Sequence, residues 1–188
     1  MASPSSDVDI CNLALQRLGA KSISSLSEDS TAGRECNRVY AHARDSELRA
    51  HPWNFARARA SLAASSTAPL FEFTNQFPLP TDYLRLLPNN EVTDWQIEGR
   101  NILTDDGAPL EIIYLKRVTD PNDFDELFLE LLVSRIANDI AEKITQSNTK
   151  KETATLAYRT AKAEARKINS FENVPKAPPT DTWINARL

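Results

Sequence analysis

The sequence predicts a mainly α protein, a four-helix bundle-like domain with a small antiparallel β-sheet inserted between helices 2 and 3, and an extended C-terminal arm, α+β taken together. Three observations predict it. Apolar residues recur at helical spacing in four separate segments. Between the second and third segments, prolines and alternating apolar residues break that period. Near the C-terminus prolines return, at Pro175, Pro178 and Pro179. The expected division is residues 1–170 for the helical domain, with the sheet at about 71–116, and residues 171–188 for the arm.

Ser6 begins the first helix, with Asp7 and Asp9 in a first turn that favours negative charge, and Val8, Cys11, Leu15 and Leu18 on one stripe. Gly19 stops it. After a Ser-rich link, Asp29 or Ser30 caps a second helix, whose apolar stripe is Cys36, Val39, Tyr40 and Ala43 and which ends before His51-Pro52. Its other face interleaves Arg34, Arg38, Arg44 and Arg49 with Glu35, Asp45 and Glu47, a pattern read as a solvated or subunit-facing surface.

From residue 65 onward, Pro69, Pro78, Pro80 and Pro88 exclude a long helix and favour extended segments. Trp95 and Ile97 alternate with polar neighbours, Glu98-Gly99-Arg100-Asn101 supplies a turn, and Ile102-Leu103 resumes the apolar run, so residues 91–104 read as a hairpin. Residues 110–115, LEIIYL, are β-branched and aromatic enough for a third strand, giving one sheet of three or four strands. Asp120-Pro121 is expected to open the core helix, marked by Phe124, Leu127, Phe128, Leu131, Leu132, Ile136, Ile140 and Ile144. Thr149 and Glu152 form a capping box for a fourth helix with the inward stripe Ala154, Ala157, Tyr158, Ala161, Ala165 and Ile168. Lys150, Lys151, Arg159, Lys162, Arg166 and Lys167 are expected on its outer face.

A chain of 188 residues with 41% hydrophobic and 26% charged residues has the proportions of one globular domain. No stretch reaches the roughly 18 apolar residues of a membrane span, and the N-terminus lacks the basic-then-apolar order of a signal peptide, so no membrane partner and no export are expected. The net charge of −4 argues against a protein whose task is to neutralise phosphates.

No catalytic, cofactor-binding or metal-binding residues are assigned. Cys11 and Cys36 fall in helices without metal-ligand spacing and read as buried, reduced thiols. His42 and His51 lie in or at the end of the second helix, away from any nucleophile. Four glycines are too few for a phosphate-cradling loop, and no cofactor is expected. The chain reads as a non-enzyme, although 26 acidic residues leave carboxylate-pair hydrolysis formally open.

The arm ends in Trp183, Ile184, Arg187 and Leu188, large apolar groups and a rim cation suited to anchoring. Two destinations stay open, its own domain or a neighbouring subunit or partner. The helix-two arginines Arg34, Arg38, Arg44 and Arg49 are the second set of candidate contact residues, together with the Trp53, Asn54, Phe55 turn. Trp53 and Phe55 also suit a core position, two residues apart on one side of an extended segment.

The block from Ile10 to Ala63, with its Trp-x-Phe at Trp53 to Phe55, resembles the tail tubular protein A family, the head-to-tail adaptors (connectors) of short-tailed bacteriophages. The resemblance continues through Gly99 in the hairpin, the aromatic Tyr114 before Lys116-Arg117, and the long helix, so it covers almost the whole chain; the order of these motifs is more specific than any one of them. The segment between the second helix and the hairpin is short for the family, so the resemblance does not extend to any added subdomain for tail fibres. It implies a structural virion protein at the head-tail interface, assembled in the host bacterial cytoplasm. In this family the adaptor is a homo-oligomer, a ring of about twelve copies between a portal protein ring and a tail nozzle (tail tubular protein B-like) protein. Double-stranded DNA passes through the lumen without specific binding, and the ring extends the channel and helps retain the genome until ejection. Two other classes remain alternatives: a tail-associated peptidoglycan hydrolase, and a small helical DNA-binding or regulatory protein.

Overall fold

A computed structural model describes residues 6–88 and 94–172 of the chain. Four helices are present among them: α1 (Asp7–Arg17), α2 (Thr31–Ala50), α3 (Glu126–Thr145) and α4 (Asn148–Phe171). Six strands lie between α2 and α3: β1 (Arg57–Leu62), β2 (Asn75–Pro78), β3 (Tyr83–Leu87), β4 (Trp95–Glu98), β5 (Asn101–Thr104) and β6 (Leu110–Lys116).

The expectation of a single small sheet at about 71–116 is overturned. The strands form two separate three-stranded antiparallel sheets, ordered β1-β6-β3 and β2-β5-β4, and the first begins at Arg57. The missing strand is RARASL. Alanine and arginine carry no local strand signal, and β1 is extended because its backbone pairs with β6, in a register running from Arg57↔Leu115 to Leu62↔Leu110. The hairpin of β4 and β5 turns at Gly99, whose φ of +58° is open to glycine at little cost.

The molecule therefore has three layers. The helices and one face of the first sheet enclose the larger core, and the two sheets enclose a smaller one between them. Strand β6 serves both: Leu115 joins the helical core, while Leu110, Ile112 and Tyr114 meet Phe77 and Ile102 of the second sheet. A register shift between Tyr83 and Arg85 lets β3 do the same, with Leu84 and Leu87 toward the helices and Leu86 toward the second sheet.

Helix α3 is the centre of the helical layer. Its buried set, from Phe128 and Leu129 through Ile136 to Ala141, covers more than one stripe because α1, α2 and α4 all pack on it. At about 1.5–3 kcal/mol for each fully buried large side chain, this helix dominates the apolar stabilisation of the fold.

The caps differ from expectation in two places. Asp120 caps only a 3-10 turn (Pro121–Asp123), and α3 starts later, where Asp125 Oδ1 accepts from the backbone N–H groups of Leu127 and Phe128 at 2.9 and 3.2 Å. Helix α4 is capped by Ser147, not Thr149, because Gln146 turns left-handed at φ +50° and reverses the chain within two residues. Ser6 caps α1 as expected, and of the two candidates Asp29 and Ser30 it is Ser30 that caps α2, each hydroxyl accepting a backbone N–H three residues on.

The α4 stripe is also rotated. Ala154, Ala161, Ala165 and Asn169 are buried and Tyr158 half-buried, while Ala157 and Ile168 face outward.

Candidate interaction surfaces

The turn after α2 is an internal joint. Trp53 is 1% exposed, donates its indole N–H to the Glu47 carbonyl at 2.8 Å, and meets Phe128 edge-on at 5.2 Å. Phe55 is half-buried against Phe124 and Phe128. The buried amide of Asn169 ties α4 to this turn. Its Oδ1 accepts from the Asn54 backbone N–H at 2.9 Å, and its carbonyl accepts from Asn54 Nδ2 at 3.1 Å. Oδ1 being engaged, Nδ2 faces His51 Nε2 at 3.0 Å, so that ring nitrogen accepts and the imidazole is neutral with its proton on Nδ1. Burial, and then the nearby Arg166, Arg85 and Arg57, push the His51 pKa below its ordinary value, in accord with that tautomer.

The four helix-two arginines separate into two pairs. Arg44 bonds Asp45 at 2.9 Å, and Asp45 also holds Arg117 at 2.8 Å, tying α2 to the end of β6. Arg49 donates to the Leu84 carbonyl and ties α2 to β3. Arg34 and Arg38 instead project into solvent beside Asp29 and Glu35. The Arg34–Asp29 pair is exposed on both sides and contributes about 0–1 kcal/mol, so Arg34 can exchange its partner for an incoming surface at little cost, whereas the Glu35 partner of Arg38 is largely buried. Arg38 lines an open polar groove of about 500 Å³ with Asp139, Glu142, Lys143, Gln146 and Asn148. The arm residues Trp183, Ile184, Arg187 and Leu188 lie outside the described residues.

A polar cluster that includes Glu47 and Lys162, both expected on charged outer faces, lies inside the bundle. Glu47, read as part of the charged face of α2, is 1% exposed. Tyr158 donates its hydroxyl to Glu47 Oε1 at 2.6 Å, Arg135 donates to the same oxygen at 3.2 Å, and Lys162 Nζ stands 3.2 Å from Oε2. Arg135 continues to Asp139 at 2.8 Å, and both cations lie over the Tyr158 ring. Burial works against the Arg135 charge, but the bonds to Asp139 and Tyr158 more than offset it and raise the pKa. Two carboxylates and two cations balance, which permits the cluster to sit between α2, α3 and α4. Tyr158, Arg135 and Lys162 all donate to Glu47 Oε1, so the cluster latches α2, α3 and α4 together. Only the spacing of Tyr158 and Lys162, one helical turn apart, hinted at it.

Lys150 and Lys151 also leave the expected outer face, donating to the carbonyls of Leu18 at 2.7 Å and Asn138 at 2.6 Å. Cys11 and Cys36 are buried and free, and the Cys11 thiol pKa is raised by its hydrogen bond with Cys36 and by burial, as fits unreactive core thiols. Among the described residues there is no His/Cys/Asp/Glu group able to hold a metal ion and no helix long and apolar enough to cross a membrane.

Beside single exposed side chains such as Leu156 and Phe171, two apolar features open to solvent stand out among the described residues. One is the tip of the long connection between β1 and β2, where Leu70 is 96% and Phe71 77% exposed. The Phe73 N–H bonds the Phe71 carbonyl at 3.0 Å across Glu72, whose φ is +76°, the conformation of a rare and strained γ-turn. The loop is pinned at its base by Ser65 to Gln76 and by Thr74 to Asp105. The other is a groove of about 440 Å³ between α1, α3 and α4, lined by Leu18, Ala137, Ala154 and the exposed Ala157 together with Arg17, Glu130 and Lys150.

Comparison with protein-family models and with curated proteins finds no match to this chain.

Proposed function

We propose that this chain is a structural head-to-tail adaptor of a short-tailed phage virion, a ring-forming subunit that sits between the portal protein and the tail nozzle. The observation that carries the reading is the order of elements: two helices, the Trp53-x-Phe55 joint, a hairpin turning at Gly99, a strand through Tyr114 and a long core helix. That is the order on which the family resemblance rests. Three further features support it. The net charge of −4 suits a lumen through which DNA slides without sticking. Arg34 and Arg38 present exposed guanidinium groups on a mixed-charge surface of the kind used between subunits. The helical layer is latched internally by the Glu47 cluster and the Asn169 joint, as a load-bearing spacer requires.

In this role the chain works mechanically. Contacts modest in each copy add up around a ring, so avidity replaces individual affinity. The C-terminal arm, through Trp183, Ile184, Arg187 and Leu188, is the candidate tie to the portal or to the next subunit. The test is the mass of the assembly formed when the full chain is mixed with the portal ring of its phage. About twelve copies per portal are expected; a chain that stays monomeric with and without portal overturns the reading and directs attention to cell-wall and DNA assays.

A further inference from the structure

We infer that the Leu70-Phe71 tip of one copy seats in the α1/α3/α4 groove of a second copy, making a head-to-tail contact that repeats around the assembly. The proposal rests on the adaptor reading for its closure into a ring, and names the surfaces that such a ring would use.

The two features are complementary in shape and polarity. The tip offers two adjacent large apolar side chains that no described residue covers. The groove owes its depth to small residues, since the buried Ala137 and Ala154 stand where larger side chains would fill it, and Ala157 lies exposed along it. A Leu and a Phe are the size of insert that an apolar pocket of a few hundred Å³ accepts. Charge agrees as well. The tip's one ionisable residue, from Ala63 to Thr74, is Glu72, next to Phe71. The groove rim carries Arg17, Lys150 and Glu130, one net positive charge. Arg17 Nη2 holds Glu130 at 2.6 Å and Nη1 holds Ser134 at 2.6 Å, while Lys150 gives one bond to the Leu18 carbonyl and keeps further donors for an incoming carboxylate.

The second copy is favoured as occupant because both halves of the contact are on one chain, and among the described residues the tip is exposed and the groove open. Tip and groove are different surfaces, so the contact is heterologous: each copy inserts one tip and receives one, and the chain of contacts either closes into a ring or runs on as a filament. The strained γ-turn at Glu72 fits the same purpose, holding Phe71 outward instead of letting the loop collapse onto the second sheet. One insertion buries much less than the roughly 1,000 Å² of a stable interface, so an isolated pair is weak and the closed assembly is what persists.

The experiment uses the full chain with Phe71→Cys and Ala157→Cys combined, treated at high concentration with a flexible bismaleimide; Cys11 and Cys36 are buried and do not compete. A ladder of covalent multimers ending at a fixed top species is expected, whereas each single variant yields at most pairs. A double variant that yields only the products of the single ones overturns the proposal. Phe71→Asp and Ala157→Trp, each at an exposed position, are expected to leave the melting temperature unchanged and to weaken self-association at least tenfold by sedimentation. If Ala157→Trp weakens assembly while Phe71→Asp does not, the groove holds another occupant, the tail of the chain or a partner protein, and the proposal falls. Adaptor reading and contact fail separately: a Phe71→Asp variant that loads portal rings as fully as the unmodified chain sinks the contact alone, and a ladder formed by a chain that never binds portal sinks the adaptor reading alone.

Discussion

Two short aromatic segments follow α2, and the fold treats them in opposite ways. Trp53 and Phe55 turn inward, while Leu70 and Phe71 stand in solvent. Hydropathy does not separate them. The first segment has partners for its polar groups, with the indole N–H on the Glu47 carbonyl and Asn54 on Asn169, so it can be buried without stranding a donor. The second has its base pinned to the second sheet and its tip bonded only across a strained turn. At the Trp53 turn a neighbouring helix supplies hydrogen bonds to the backbone around the buried ring, and the Leu70-Phe71 tip has no such supply.

The largest test of that contrast is Trp53→Ala, expected to cost about 3–5 kcal/mol in chemical denaturation through lost burial and a cavity against Phe128. Glu47→Gln comes next. It leaves Arg135 and Lys162 facing each other without their shared carboxylate, and because each cation is about a quarter exposed the loss is expected at about 3 kcal/mol, the low end for a broken buried pair. A double-mutant cycle with Tyr158→Phe should show strong coupling; additive losses would mean that the cluster is not one unit.

Asn169→Ala should cost about 1–3 kcal/mol, since it unpairs the Asn54 amide and frees the His51-Pro52 end of α2. The same joint predicts a pH dependence. The folded-state pKa of His51 is lowered, so the unfolded chain binds the proton more readily; the stabilisation is fully present above the unfolded value of about 6.5 and is lost as pH falls through the folded one. Thermal melts between pH 7.5 and 5 should show that decline, and His51→Gln should flatten it. At the small end, Phe71→Ala is expected to change stability by less than about 0.5 kcal/mol, which a denaturation curve superimposable on that of the unmodified chain would establish. A loss comparable to that of Trp53→Ala would show that the tip is core, and would end the comparison.

Local chemistry set the existence and type of the helices, the Ser6 and Ser30 caps, the hairpin at Gly99 and the strand through Tyr114, because periodicity, cap hydroxyls and a left-handed glycine act within a few residues of one another. Tertiary structure alone decided the rest. β1 is a strand because a distant β6 supplies its hydrogen bonds, and so two sheets stand where one was expected. Glu47 and Lys162, charged residues that a local reading puts in water, are drawn inward because groups on three helices meet at one point and balance their charge. Arg44 and Arg49 became internal ties through distant partners, Arg44 with Asp45, which also holds Arg117, and Arg49 on the Leu84 carbonyl, leaving Arg34 and Arg38 as the outward pair. Pairing and charge compensation act between groups far apart in sequence, and no local pattern records which partners the fold will bring together.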